Sequence, residues 1–159
     1  MDQERKIFTT NPEKASARVT INSFMMGSLF VILTLIWSLN PGRFSYATIV
    51  QLVLAIPLLF VSSLTYAKIG YWQETKLWDT YGWFTNTIGT LFIINVAGLI
   101  TATLYKNLAI FYFVLTILLM AIYSAVNVVY RPASFKEKLF KFLFLVVIIV
   151  LGGLLPVVL

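Results

Sequence analysis

Residues 82–105 form an apolar stretch that is rich in neutral polar side chains. These are the side chains best placed to do chemistry. On a helix turning 100° per residue, Asn86, Thr90 and Thr101 fall within about 60° of one another. Asn95 lies on the opposite side of that helix. Amides and hydroxyls in such positions either hydrogen-bond to neighbouring helices or line a path for water, an ion or a small neutral solute. The candidate binding residues are Asn86, Thr90, Asn95 and Thr101, with Asn127 in the following apolar stretch.

The residue types that carry most enzyme chemistry are scarce. The sequence has no His and no Cys, which removes the usual zinc, copper, haem and iron–sulfur ligands and the Ser–His and Cys–His catalytic pairs. Glu74 and Asp79 resemble a carboxylate pair, but Lys76 between them favours a solvated, salt-bridged segment. The composition argues against an enzyme and predicts no metal site and no cofactor.

A cluster of aromatic residues at positions 66–84 contains three of the four tryptophans, interleaved with charges. Such a cluster is typical of the aromatic belt at a membrane surface. The alternative is a ledge that binds lipid or a partner protein. The candidate lipid-interface residues are Trp72, Trp78, Trp83, Lys136 and Lys138.

Long intervals without any charge indicate how these residues are positioned. The chain is 60% hydrophobic and 11% charged, with a mean hydropathy of +0.90 over 159 residues. Its five charge-free intervals are 24, 24, 26, 24 and 18 residues long, and a bilayer core takes about 20 helical residues to cross. We therefore predict an all-α integral membrane protein, a multi-pass helical bundle forming a single domain over residues 1–159. The predicted spans are approximately 19–40, 45–67, 82–105, 108–129 and 139–158.

The basic residues predict an orientation. Ten of the twelve fall in the segments that five spans place on the side of the N-terminus, and only Arg43 and Lys106 fall on the other side. Because cytoplasmic loops are enriched in Lys and Arg, the N-terminus is predicted to be cytoplasmic and the C-terminus outside, in the plasma or inner membrane. The net charge of +6 then indicates contact with anionic lipid at the cytoplasmic face and not with nucleic acid.

Turn and capping residues predict the helix limits. Asn11-Pro12-Glu13 is typical of a helix start, so the first helix is expected to run from Pro12 to Leu39. Asp79 or Thr80 is expected to cap the third span. Small residues on both sides of that span, Gly98 beside Asn95 on one and Ala97 on the other, predict that it contacts protein on both sides.

Two functions from different classes remain open. The first is a non-enzymatic membrane component, a small channel or transport component or an accessory subunit, that assembles with itself or with a membrane-protein partner. The second is a lipid-binding or lipid-handling protein, including an intramembrane enzyme, that uses the cytoplasmic aromatic and basic face. No Asp, Glu, Lys or Arg lies in the middle of a span, which argues against proton-driven antiport and voltage sensing.

Overall fold

The computed structural model of the protein describes residues 12–39, 41–71, 76–130 and 135–159. Within those ranges every regular element is helical. The elements are α1 (Pro12–Leu39), a 3₁₀ turn (Pro41–Arg43), α2 (Tyr46–Tyr71), α3 (Lys76–Ala102), α4 (Lys106–Tyr130), α5 (Phe135–Ile149), a π-helical turn (Val150–Leu154) and α6 (Leu155–Val158).

Among the described residues, five helical segments are long and apolar enough to cross a membrane, as the charge-free intervals predict. They are Glu13–Ser38, Tyr46–Ile69, Leu77–Ala102, Lys106–Val129 and Lys138–Val158. The protein is therefore an all-helical, multi-pass integral membrane protein. Which way the chain crosses the membrane, and which membrane it occupies, stay predictions.

The predicted limits of the first helix are confirmed, because α1 runs from Pro12 to Leu39. The predicted cap of the third span is wrong. Helix α3 begins at Lys76, so Asp79 lies inside its first turn and is 2% exposed. No Gly or Pro separates residues 76 and 80, so backbone hydrogen bonding continues past the end of the apolar interval. A carboxylate in the first turn also interacts favourably with the helix dipole.

The chain forms two compact units, and α2 and α3 contribute residues to both. The first unit contains residues up to Leu39 together with Leu52–Thr90. One of its clusters contains Ala15, Tyr66 and Ile69, and Arg18 donates a hydrogen bond to the Tyr66 hydroxyl. The single domain predicted for residues 1–159 stays a prediction.

The second unit contains Asn40–Gln51 and Leu91–Leu159. Its apolar core draws on α3, α4, α5 and α6. The buried core residues are Leu91, Leu99, Ala109, Phe113, Ile149 and Val157. Phe113 lies at the centre of the closest packing, because the ring is fully buried and faces two glycines, Gly98 of α3 and Gly153 of the π-helical turn.

Candidate functional site

A pair of buried amides joins α3 to α2 inside the second unit. The Asn95 Nδ2 atom donates to the Gln51 Oε1 atom at 2.8 Å and lies 3.2 Å from the carbonyl oxygen of Ile148 in α5. Asn95 is fully buried and Gln51 is 7% exposed. Asn95 therefore bonds to neighbouring helices of its own chain, one of the roles that the sequence left open for such an amide, and the amide pair connects three helices.

The sequence of the last span explains why the Gln51 side chain forms a hydrogen bond with it. Pro156 has no N–H, so it cannot donate to the carbonyl of Gly152, four residues earlier. The Gly152 oxygen instead accepts a hydrogen bond from the Gln51 Nε2 atom at 2.7 Å. In the same region the backbone N–H of Leu155 bonds to Val150, five residues back, which is the π-helical pattern. The side chain of Gln51 thus bonds to a carbonyl that the residue four positions later cannot reach as a donor.

Two consecutive glycines allow the amides to approach this turn. A Cβ atom on Gly152 would lie 2.5 Å from the Asn95 Nδ2 atom and 2.9 Å from the Gln51 Oε1 atom. A Cβ atom on Gly153 would lie 2.8 Å from the Asn95 Oδ1 atom. Any larger residue at either position would therefore displace the amide pair.

One atom of the site has an unused hydrogen-bonding capacity. The Asn95 Oδ1 atom is buried and has no hydrogen-bond partner among the described residues. An amide oxygen can accept two hydrogen bonds, so it can take a donor such as water or a hydroxyl group. The site contains neutral amides and carbonyls, which suit a neutral polar group better than an ion pair or a proton relay.

A groove with a volume of about 420 Å³ lies beside the amide pair, within the second unit. Its walls are mainly apolar, and Gln51 and Gly152 contribute polar atoms. The lining residues are Tyr46, Ala47, Val50 and Gln51 of α2, Phe92 of α3, Val147 and Ile148 of α5, and Leu151 and Gly152 of the π-helical turn. Exposed Tyr46, Val147 and Leu151 on its rim leave the groove open to the surroundings of the chain.

Asn86 belongs to a separate polar cluster in the first unit. The Ser62 hydroxyl lies 3.3 Å from the Gly82 carbonyl oxygen and 3.4 Å from the Asn86 Oδ1 atom, and it can donate to either one. Asn22 of α1 donates to the same hydroxyl at 3.2 Å. The cluster holds α1, α2 and α3 together through neutral hydrogen bonds.

The other predicted binding residues are not brought together with Asn95. Thr90 is half-buried. The Thr101 hydroxyl donates to the Ala97 carbonyl of its own helix, and Ala97 is exposed. The Asn127 Nδ2 atom likewise donates to Tyr123 of its own helix. The face of α3 opposite Asn95 is therefore not covered along its whole length by this chain.

The lipid-interface candidates are spread over both units. Trp72 lies outside the described residues. Trp78 is 38% exposed and its ring lies 5.9 Å from the Lys68 Nζ atom, while Trp83 is half-buried against Phe84. Lys136 is exposed, and the Lys138 Nζ atom donates to the carbonyl of Asn127.

The main residue that the sequence analysis missed is Gln51. It is a single amide in an apolar stretch, and its partners Asn95 and Gly152 lie 44 and 101 positions away in the chain. A usable signal was nevertheless present. Gly152, Gly153 and Pro156 lie together in the last span, where they weaken the regular helix and remove the usual donor to the Gly152 carbonyl.

Comparison of the chain with protein-family models, with curated proteins and with solved structures finds no match.

Proposed function

We propose that the protein is a non-enzymatic membrane component, a small channel or transport component or an accessory subunit, that works by assembling with other membrane helices. The observation that supports this proposal is a run of exposed small residues along one side of α1, interrupted between Gly27 and Thr34 by exposed Phe30. On a helix turning 100° per residue they fall within about 60° of one another. These residues are Ser16, Thr20, Ser23, Gly27, Thr34 and Ser38, here called the α1 stripe.

The α1 stripe has the properties of a helix-packing surface. Nothing lies within 4 Å of a Cβ atom placed on Gly27. The hydroxyls of Thr20, Ser23 and Thr34 donate to carbonyls of their own helix, so their polarity is already satisfied. Small residues spaced four apart let two helix backbones approach closely in lipid, where packing drives association. The partner we favour is a second copy of this chain, because one stripe can pack against its own copy across a two-fold axis.

Replacing Gly27 with leucine is expected to weaken this self-association at least tenfold, because the new side chain would separate the two backbones. Energy transfer between labelled copies in lipid vesicles, measured over a range of protein-to-lipid ratios, reports the association. Ser28→Leu is the matched control, since Ser28 is also exposed on α1 but lies about 100° away from Gly27. Equal association in both variants and the wild type would contradict self-assembly through the α1 stripe.

The groove beside Gln51 favours the second candidate function in a different place, because lipid would bind there and not at the predicted aromatic and basic face. Its apolar walls fit an acyl chain, and its position within the apolar segments of α2, α3 and α5 gives lipid direct access. Val50→Trp should fill the groove and reduce by several-fold the lipid that remains bound through detergent purification, as counted by native mass spectrometry. Thr116→Trp on α4 is a control outside the groove. Lipid retention unchanged by Val50→Trp would count against this second function.

A further inference from the structure

Two basic residues that are 63 positions apart line one pocket of the second unit. Arg43 belongs to the 3₁₀ turn before α2, and Lys106 is the first residue of α4. Both side chains are exposed, and both line a pocket with a volume of about 420 Å³. They are also the two basic residues that the sequence pattern assigns to the side of the membrane opposite the N-terminus.

The rest of the pocket contains both polar and apolar groups. Ser45 and Thr103 add hydroxyls beside the two cations, while Leu99 and Val157 supply apolar walls. No acidic residue is among the described residues that line it. The Lys106 Nζ atom donates to the carbonyl of Val158 at 3.2 Å and so is held beside the pocket wall. The pocket therefore carries two positive charges next to an apolar surface.

The pocket lies where membrane-spanning segments end. The candidate spans begin at Tyr46 and Lys106 and end at Ala102 and Val158, and these four residues are next to lining residues of the pocket or among them. Helix ends of this kind meet the lipid headgroups, because the apolar segments between them fill the hydrocarbon layer. The ligands present there at high concentration are phospholipid headgroups.

We propose that this pocket binds the headgroup of an anionic phospholipid, with the phosphate between Arg43 and Lys106. Arg can bond two phosphate oxygens at once and Lys acts as a point charge. The Ser45 hydroxyl can add a neutral donor when Thr48 donates to it, whereas the Thr103 hydroxyl donates to the Ile100 carbonyl. The apolar walls then contact the glycerol and the first part of the acyl chains. Two cations with no acidic residue among the described lining residues favour a net-negative headgroup over a zwitterionic one. This proposal is independent of the assembly through α1.

Native mass spectrometry of the purified full chain with phosphatidylglycerol or phosphatidylcholine tests the proposal. The wild type is expected to bind phosphatidylglycerol more tightly than phosphatidylcholine. Arg43→Gln and Lys106→Gln should each weaken phosphatidylglycerol binding about fivefold, the factor expected for about 1 kcal/mol per basic residue at a lipid surface. The double variant should remove the preference for the anionic lipid. Glutamine keeps a donor at position 106, and thermal unfolding of each variant confirms that folding is retained.

Lys14→Gln is the matched control, because Lys14 is exposed near the beginning of α1, does not line the pocket and is not one of the predicted lipid-interface residues. An equal loss of phosphatidylglycerol binding in this control would show that removing any basic residue has the same effect, and it would contradict a specific lipid site in the pocket. Equal binding of the two lipids to the wild type would also overturn it. Displacement of phosphatidylglycerol by millimolar inorganic phosphate would show that the pocket takes the free anion, which contradicts a lipid site.

Discussion

Gly98→Ala is expected to lower the free energy of unfolding by about 1–3 kcal/mol, the range observed when a packed core is overfilled. A Cβ atom at this position would lie 2.2 Å from the Cζ atom of Phe113. The ring has little room to move, because Phe113 is fully buried and Gly153 also lies against it, where a Cβ atom would lie 2.3 Å from the Cε1 atom. The added methyl group therefore forces the atoms around Phe113, at the centre of the second unit, to shift.

Reversible unfolding in bilayers or micelles measures this effect. Gly27→Ala is the control for the change in helix propensity, since a Cβ atom there has no neighbour within 4 Å. In dilute micelles, where the chain is monomeric, it should not destabilise the protein, because alanine is a better helix former than glycine by about 0.5–1 kcal/mol. Phe113→Leu makes room for the new methyl group. The loss from Gly98→Ala should therefore be smaller in the Phe113→Leu background than in the wild type.

A double-mutant cycle measures that coupling between positions 98 and 113. If the losses of unfolding free energy in the two single variants simply add up in the double variant, the contact between Gly98 and Phe113 does not account for the cost of Gly98→Ala. The same cycle with Gly153→Ala tests whether both glycines act on the same ring. Both cycles are expected to show coupling, because the ring lies against both backbones.

Gln51→Leu is expected to destabilise the protein by about 1–3 kcal/mol, because it removes hydrogen-bond partners from buried polar groups on two other helices. The substitution removes the donor to the Gly152 carbonyl, to which Pro156 cannot donate. It also removes the acceptor of the Asn95 Nδ2 atom, which keeps only the carbonyl of Ile148 at 3.2 Å. The same unfolding assay measures the loss.

Asn95→Leu should cost less, about 0.6 kcal/mol with an upper end near 1.7, as for single hydrogen bonds between membrane helices. The double variant Gln51→Leu with Asn95→Leu should lose less than the sum of the two single losses, since each residue is the partner of the other. Strict additivity would show that the two amides act independently. If Asn95 also lines a path for a solute, transport should collapse in Asn95→Leu while the fold persists.

Much of the local structure could be predicted from the sequence because it depends on nearby residues. The charge-free intervals indicate five spans, since a charge inside the hydrocarbon layer is costly, and the structure has five matching helices. Pro12 and the turn after Leu39 mark the limits of α1. The burial of Asn95 and Gly98 could also be predicted from the sequence, because an amide and a glycine in an apolar helix are expected to face protein.

The pairing of helices was decided only by the tertiary structure. Gln51 bonds to Asn95 and Gly152, and Arg43 and Lys106 line one pocket. The residues of each pair are 44 to 101 positions apart in the chain. In water, a hydrophobic face shows which side of a helix is buried. In lipid this signal is lost, because the acyl chains are as apolar as a leucine side chain and the choice of neighbour depends on shape and on a few hydrogen bonds. The close fit of Phe113 against two glycines is set by such shape, which a one-dimensional pattern does not contain.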